Sequence, residues 1–294
     1  MKMIKFPRTT VGGMSLSRMI IGTNWFLGYS HTTRAKDCYI NEHIKDRKKI
    51  ADILEIFFKY GVDTIIGNVH DSGCAPLVEG IKETEDRTGI KAIVIATPGF
   101  QIDKNTPTKG FDSSKVYRIL DAVKAQGAAF CMPHAGTTDS LVDRCTREIR
   151  HMPALCKMIR EHGMIPGLST HMPETVIYAD DANLDVATYI QIYNALGFLM
   201  QIEVDWIAYN IQNAKKPVMT IKPLAAGQLR PFQGLNFVWN TIRPQDMVTI
   251  GTISPKEAEE VVELSLAILE RRQANVQLQE TRSKSTVKSK NSRQ

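Results

Sequence analysis

The chain has no stretch approaching the ~18 consecutive apolar residues that a bilayer-spanning helix needs, so no membrane partner is expected. It has no CxxC pair. Its five cysteines, Cys38, Cys74, Cys131, Cys145 and Cys156, are scattered and odd in number. That spacing excludes a disulfide scaffold and a thiolate zinc site, and it implies free thiols in a reducing, cytoplasmic compartment. HxH and HExxH are absent, and no Gly-rich phosphate loop follows the first apolar run, which continues Gly22-Thr23-Asn24-Trp25-Phe26. The basic opening, residues 1–22, is interrupted by glycine and serine and lacks an AxA-like site, so no signal peptide is expected.

What is present is ordinary for a globular chain: 294 residues, 43% hydrophobic and 23% charged. A chain this long can bury most of its unfolded surface without disulfides or metal. The net charge of +6 is concentrated at one end. Arg271, Arg272, Arg282, Lys284, Lys288, Lys290 and Arg293 face only Glu280 there. Residues 273–294 are apolar-poor and unpatterned and read as a disordered, solubilising basic tail on a near-neutral body, residues 1–272. Nucleic acid is therefore not an expected partner, a small molecule is, and the oligomeric state is left open.

The dominant pattern is alternation. Short apolar runs at 19–23, 62–67, 92–97, 128–133, 164–169, 204–210, 218–223 and 247–251 read as strands buried on both faces. Amphipathic stretches at 47–60, 113–126, 138–162 (interrupted near Pro153), 185–199 and 254–271 read as helices. Ser254-Pro255-Lys256-Glu257 combines a serine cap, proline at the first helical position and glutamate at the third. Eight strands in this order predict an α/β fold, a (β/α)8 TIM barrel, in preference to an open doubly wound sheet. Gly12-Gly13 predicts a hairpin ahead of the barrel. Residues 24–46 form a long polar and aromatic insert of the kind that lids and binding loops occupy.

In such a barrel the polar residues just past the strands face the mouth. They are Asn24; Asn68, His70 and Asp71; Thr97; His134; Ser169, Thr170 and His171; Tyr209 and Asn210; Lys222; and Thr252. Lys222 ends a buried run before Pro223, where desolvation would free its amine for base or Schiff-base work. His134 can donate to a carbonyl oxygen or move a proton near neutral pH. Asn24, Asn68, His70, Asp71, Thr97, His171 and Asn210 are read as substrate-binding, with Arg34 able to clamp a carboxylate or phosphate from the insert. Trp25, Phe26, Tyr29 and His31 could close with it. His70, Asp71, His134 and His171 could meet a divalent metal, but hydrogen-bonding groups around a polar pocket is the preferred reading. His43, His151 and His162 are expected to be solvated away from the mouth.

The order of these segments resembles the aldo-keto reductase superfamily over residues 5–270. Met14-Ser15-Leu16-Ser17-Arg18 with Ile21-Gly22-Thr23 is similar to its opening hairpin and first strand. Gly167-Leu168-Ser169, Lys222-Pro223-Leu224-Ala225-Ala226-Gly227, and Ile250-Gly251-Thr252 with Ser254-Pro255 resemble its fifth, seventh and eighth strand ends. The resemblance implies hydride transfer from NADPH by an Asp, Tyr, Lys and His tetrad. Only the histidine is matched, as His134. Ile66 stands at the aspartate, Asp71 or a neighbour at the tyrosine, and Pro98, after Thr97, at the lysine. Loss of the general acid alone is worth about 10²–10⁴-fold in rate. NADPH, if bound, would meet Ser169, Thr252 and Lys256, but Lys222 replaces the aromatic that packs on the nicotinamide. The reading taken forward is a small-molecule enzyme performing non-redox acid-base or carbonyl chemistry of lyase, isomerase or aldolase type on a polar carbonyl or sugar-like substrate. The alternatives are an NAD(P)H-dependent oxidoreductase with a rearranged site and a non-catalytic ligand-binding or partner subunit.

Overall fold

A computed structural model of the chain describes residues 5–107 and 111–276. Strands β1 (Arg8–Val11) and β2 (Met14–Ser17) form the hairpin, turning at Gly12 and Gly13, whose φ values of +55° and +87° suit a tight primed turn. Then follow β3 (Met19–Gly22), α1 (Asn24–Leu27), α2 (Arg34–His43), α3 (Arg47–Lys59), β4 (Thr64–Gly67), α4 (Ala75–Thr88), β5 (Ile93–Ala96), α5 (Ser113–Ala125) and β6 (Ala128–Cys131). The second half holds α6 (Ala135–Ser140), β7 (Val142–Asp143), β8 (Glu148–Ile149), α7 (Met152–Glu161), β9 (Ile165–Pro166), β10 (Leu168–Ser169) and α8 (Glu174–Asp181). It ends with β11 (Tyr189–Ile192), α9 (Val204–Asn213), β12 (Val218–Ile221), α10 (Pro231–Thr241), β13 (Met247–Ile250) and α11 (Pro255–Leu269).

The main sheet runs β10-β11-β12-β13-β3-β4-β5-β6-β9, every pair parallel. Because β9 and β10 are two halves of one strand, one half pairing with β6 and the other with β11, the sheet closes as an eight-stranded barrel. Gly167 joins the halves. A Cβ there would lie 2.8 Å from Met132 Cε and 3.0 Å from the Thr188 carbonyl oxygen. Gly167→Ala is expected to cost about 1–3 kcal/mol through overpacking at this seam, measurable as a lower urea midpoint. An unchanged midpoint would show that the seam relaxes freely.

Ile20, Ile66, Ile95, Phe130, Met132, Ile190, Met219 and Met247 fill the barrel, and Val11 and Leu16 of the hairpin seal its base. Also at the base, the fully buried Asp246 carboxylate accepts hydrogen bonds from Val218 N–H (2.8 Å) and from Arg243 N, Nε and Nη2 (2.8–2.9 Å). Arg18 donates to the Asp246 carbonyl and lies 5.2 Å from the Trp239 ring centroid. Asp246 thus ties together the entry ends of β3, β12 and β13, its carboxylate holding β12 and its main-chain carbonyl holding Arg18 before β3. Around the barrel, Asp46 caps α3 through the Lys48 and Lys49 amides, Asp112 caps α5 through Ser114, and Ser254 caps α11 through Glu257.

Four expected elements are corrected. Residues 204–210 form helix α9, not a strand, and the sixth barrel strand is β11, within the stretch expected to be helical at 185–199. The apolar, aromatic run of α9 imitates a buried strand, while Gln191 breaks the apolar run of β11. The expected long helix at 138–162 is divided by the antiparallel pair β7–β8, whose turn includes Arg147 at φ +58°, with His151 at φ +63° starting α7. The insert at 24–46 is largely helical, holding α1 and α2. Within the expected tail, residues 273–276 fold back on α11: Asn275 N–H donates to Glu263 (2.7 Å), and Arg272 pairs with the same carboxylate. Residues 277–294 lie outside the described residues. No helix among the described residues is long and apolar enough to cross a membrane.

Candidate active site

Four basic side chains come together where the strands end. His134 lies three residues past β6, His171 two past β10, and Lys222 one past β12. His31, from the insert between α1 and α2, completes the group. Burial first, then Lys222, His134 and His31, disfavour a charge on His171; burial and Lys222 do the same at His134 and His31, where Asp139 and Asp37 respectively oppose them.

Lys222 is held in a strained place. Its φ is +60°, a left-handed conformation, directly before Pro223, where the preceding residue favours extended backbone. Ala225 and Ala226 follow at +49° and +55°. Non-glycine residues in this region cost about 1–3 kcal/mol each, and such strain clusters at functional loops. Helix α10 braces the loop, because a Cβ on Gly234 would sit 2.6 Å from the Pro223 carbonyl oxygen. The Lys222 amine has no hydrogen-bond or ion-pair partner among the described residues, and burial pulls its pKa below the usual lysine value.

His134 caps α6: its Nδ1 accepts a hydrogen bond from Gly136 N–H (3.1 Å). That fixes the tautomer, leaving Nε2–H as a donor on a solvent-exposed ring. Asp139, five residues on, accepts from Thr170 Oγ1 (2.5 Å) and from the His171 amide (3.0 Å). It locks the β10 exit to α6 beside His134. Burial raises its pKa despite these bonds. Sequence reasoning missed Asp139; a carboxylate one turn beyond a strand-end histidine was the available signal. His31 Nε2 lies 2.6 Å from the Asn24 amide nitrogen, which draws the insert onto the mouth. Asn24, His31, His134, His171 and Lys222 therefore share one place.

The remaining candidates divide. Asn68, His70 and Asp71 form their own cluster at the β4 exit, with Asn68 donating to Asp71, and His70 Nε2 3.3 Å from Asp71. His70 and Asp71 also line a groove of about 440 Å³ with Phe100, Lys115 and Ile119, which none of His134, His171 or Lys222 touches. Thr97 is half-buried at the β5 exit. Arg34 begins α2, exposed. Asn210 is not at the mouth: it is buried on α9, because the strand assigned to it is a helix, and Tyr209 points to solvent there. His151 and His162 are enclosed rather than solvated. His151 is buried against Phe111, and His162 Nδ1 lies 2.8 Å from the Met158 carbonyl oxygen. Among the described residues no group of three or more His, Cys, Asp or Glu is gathered to hold a metal.

The cationic cluster makes stability pH-dependent. His171 is pushed down to about 4, first by burial and then by Lys222, His134 and His31. The unfolded chain therefore binds a proton near pH 6.5 that the folded one refuses until about pH 4. Its contribution is complete above pH 6.5 and is lost as pH falls through this window. His31 and His134 act in the same direction, and the raised Asp139 opposes them at the acid end. Urea midpoints measured from pH 7 to 4.5 should fall, and His171→Gln should flatten the slope. An identical slope in that variant would contradict the cluster.

No model of a known protein family matches the chain, and no curated protein does. Solved structures do. A Pseudomonas aeruginosa protein provisionally assigned as an aldo-keto reductase aligns at 16% identity over 91% of this chain and 98% of its own, with a TM-score of 0.65. The glycerol dehydrogenase AKR11B4 of Gluconobacter oxydans aligns at 13% identity over 94% and 99%, TM-score 0.57. An aldo/keto reductase of Brucella melitensis aligns at 11% over 92% and 99%, TM-score 0.54. The fold is that of the aldo-keto reductases, in divergent form.

The residues do not fit the NADPH that this fold implies. Lys256 is exposed and paired with Glu259 (2.7 Å), and Glu257 Oε2 accepts the Ile253 amide, placing a carboxylate where a phosphate would meet the start of α11. The Trp25 ring lies against Gly251 at the β13 exit, within 2.6 Å of where a Cβ would stand. Ser169 and Thr252 are buried at their strand ends, with Thr252 Oγ1 unpartnered, but Lys222 stands where the resemblance puts the aromatic that packs on a nicotinamide.

Proposed function

We propose that the protein is an enzyme of non-redox carbonyl chemistry, of lyase, aldolase or isomerase type, acting on a small polar carbonyl compound at the barrel mouth. The observation that carries this reading is the Lys222 amine, unpartnered, partly desolvated and held on a strained loop at the same barrel mouth as His134, whose charge it opposes. A lysine desolvated in this way keeps more of its neutral, nucleophilic form.

In the proposed step, the neutral Lys222 Nζ adds to the carbonyl carbon while His134 Nε2–H hydrogen-bonds to the carbonyl oxygen. The oxygen takes one proton from the adding amine and one from solvent and leaves as water, giving an iminium. That iminium accepts the electron pair of an adjacent C–H or C–C bond as it breaks, which is the shared chemistry of the three reaction types. Asp139 acts through His134 and His171, holding the two loops in place.

Reductive trapping tests it. Borohydride added with glyoxylate, pyruvate or hydroxyacetone should label Lys222 ahead of the exposed lysines, read by peptide mass, and His134→Asn should slow the labelling. Absence of preference for Lys222 would overturn the reading. So would micromolar NADPH binding, seen as quenching of Trp25 fluorescence.

A further inference from the structure

We infer that the mouth holds an oxyanion, the carboxylate or phosphate group of its small-molecule ligand, in a subsite made by the His171 ring and the His31–Asn24 pair, beside the Lys222 amine. The inference rests on the proposed carbonyl reading for the rest of the ligand.

The imbalance of charge at the mouth argues for it. Four basic side chains, His31, His134, His171 and Lys222, act on one another there. Two carboxylates are near, and both are committed. Asp37 accepts the Ser30 amide (2.7 Å) and the Ser30 hydroxyl (2.6 Å). Asp139 accepts Thr170 Oγ1 and the His171 amide, and feels Glu174, itself bridged to Arg144 at 2.6 Å. Neither carboxylate makes an ion pair with a basic group of the cluster, and the His171 ring has no hydrogen-bond partner among the described residues. The Asn24 side chain is exposed and oriented by His31, which stands at φ +59° at the turn of the insert.

Asp37 acts on His31 and Asp139 on His134, but no carboxylate acts on His171 or Lys222, and that unbalanced pair is relieved by an anion. Lys222 and His134 are occupied with the carbonyl in the proposed step, so the anion falls to His171 and His31. An oxyanion beside an imidazole favours its protonated form, so the ligand enters together with a proton. Arg34, exposed at the start of α2, is not needed for this seat.

Histidine NMR of the full chain tests the inference, with the seven imidazole signals assigned by single His→Gln variants. Titrations use propanoate (an acid without a carbonyl), inorganic phosphate, pyruvate and hydroxyacetone (a neutral carbonyl). Pyruvate, and at least one of propanoate and phosphate, should move the His171 midpoint upward by about 1–3 pH units, as a new opposite charge does. The simple anion that acts identifies the group. His171→Gln should lose saturable binding of that anion, while His162→Gln, at the end of α7 that leads into the barrel base, should keep it. The inference is overturned if no anion moves His171, or if hydroxyacetone moves it as far. Borohydride labelling of Lys222 is read separately: anion binding without labelling removes the carbonyl reading alone, and labelling by neutral and acidic carbonyls alike, with no shift of His171, removes the oxyanion seat alone.

Discussion

Asp246→Ala is expected to destabilise the barrel by about 3–5 kcal/mol, the cost of removing one partner of a buried, hydrogen-bonded ion pair. Asp246 has no exposed surface, and its carboxylate accepts bonds from β12 and from Arg243. Its loss leaves the Arg243 guanidinium enclosed with only the Ala214 and Lys216 carbonyls as acceptors. The Val218 amide at the start of β12 loses its partner too. Urea unfolding at pH 7 reads the effect directly. Because the base of the barrel is remote from Lys222, ligand binding by the folded fraction should survive. A change below about 1 kcal/mol would mean that hydrogen bonds between strands, rather than this carboxylate, hold the β12–β13 entry together.

Lys222→Gly is expected to remove reductive labelling at this position and to raise the melting temperature by about 2–4 °C, corresponding to about 1 kcal/mol in a chain of this size. Two causes add. Glycine adopts the φ of +60° without the left-handed penalty. The desolvated ammonium, with its repulsion of three histidines, disappears. Lys222→Met isolates the second cause, keeping the strain and removing the charge, so it should gain less. It should also let His171 titrate nearer its ordinary value. A residue that costs stability where it stands is one retained for another reason. If both variants melt lower than the parent, Lys222 is a structural residue and the catalytic account fails.

Much of the barrel was legible because parallel strands buried on both faces must be apolar, and seven of the eight were. The eighth, Tyr189–Ile192, carries Gln191, whose buried amide has no partner among the described residues. A polar side chain inside a strand breaks the run that sequence reading relies on. Meanwhile Val204-Asp205-Trp206-Ile207 offered a false strand, and Asn210 was misplaced with it. The site was legible where strand ends alone fix position, as for His134, His171 and Lys222. It was illegible where position depends on how a loop folds back. His31 reaches the mouth only because the insert curls onto Asn24, and Asp139 only because α6 packs against the β10 exit. Lys256, read as a phosphate contact if NADPH binds, is exposed and pairs with Glu259 one turn on.

The central claim is that the Lys222 amine stands desolvated and without a counter-ion among histidines at the mouth. The pH dependence of reductive methylation at Lys222, followed by peptide mass with the exposed Lys91 and Lys256 as internal references, tests it most directly. Half-labelling of Lys222 well below pH 10.5, and below both references, is the predicted result. A midpoint at or above those of the references would contradict the account.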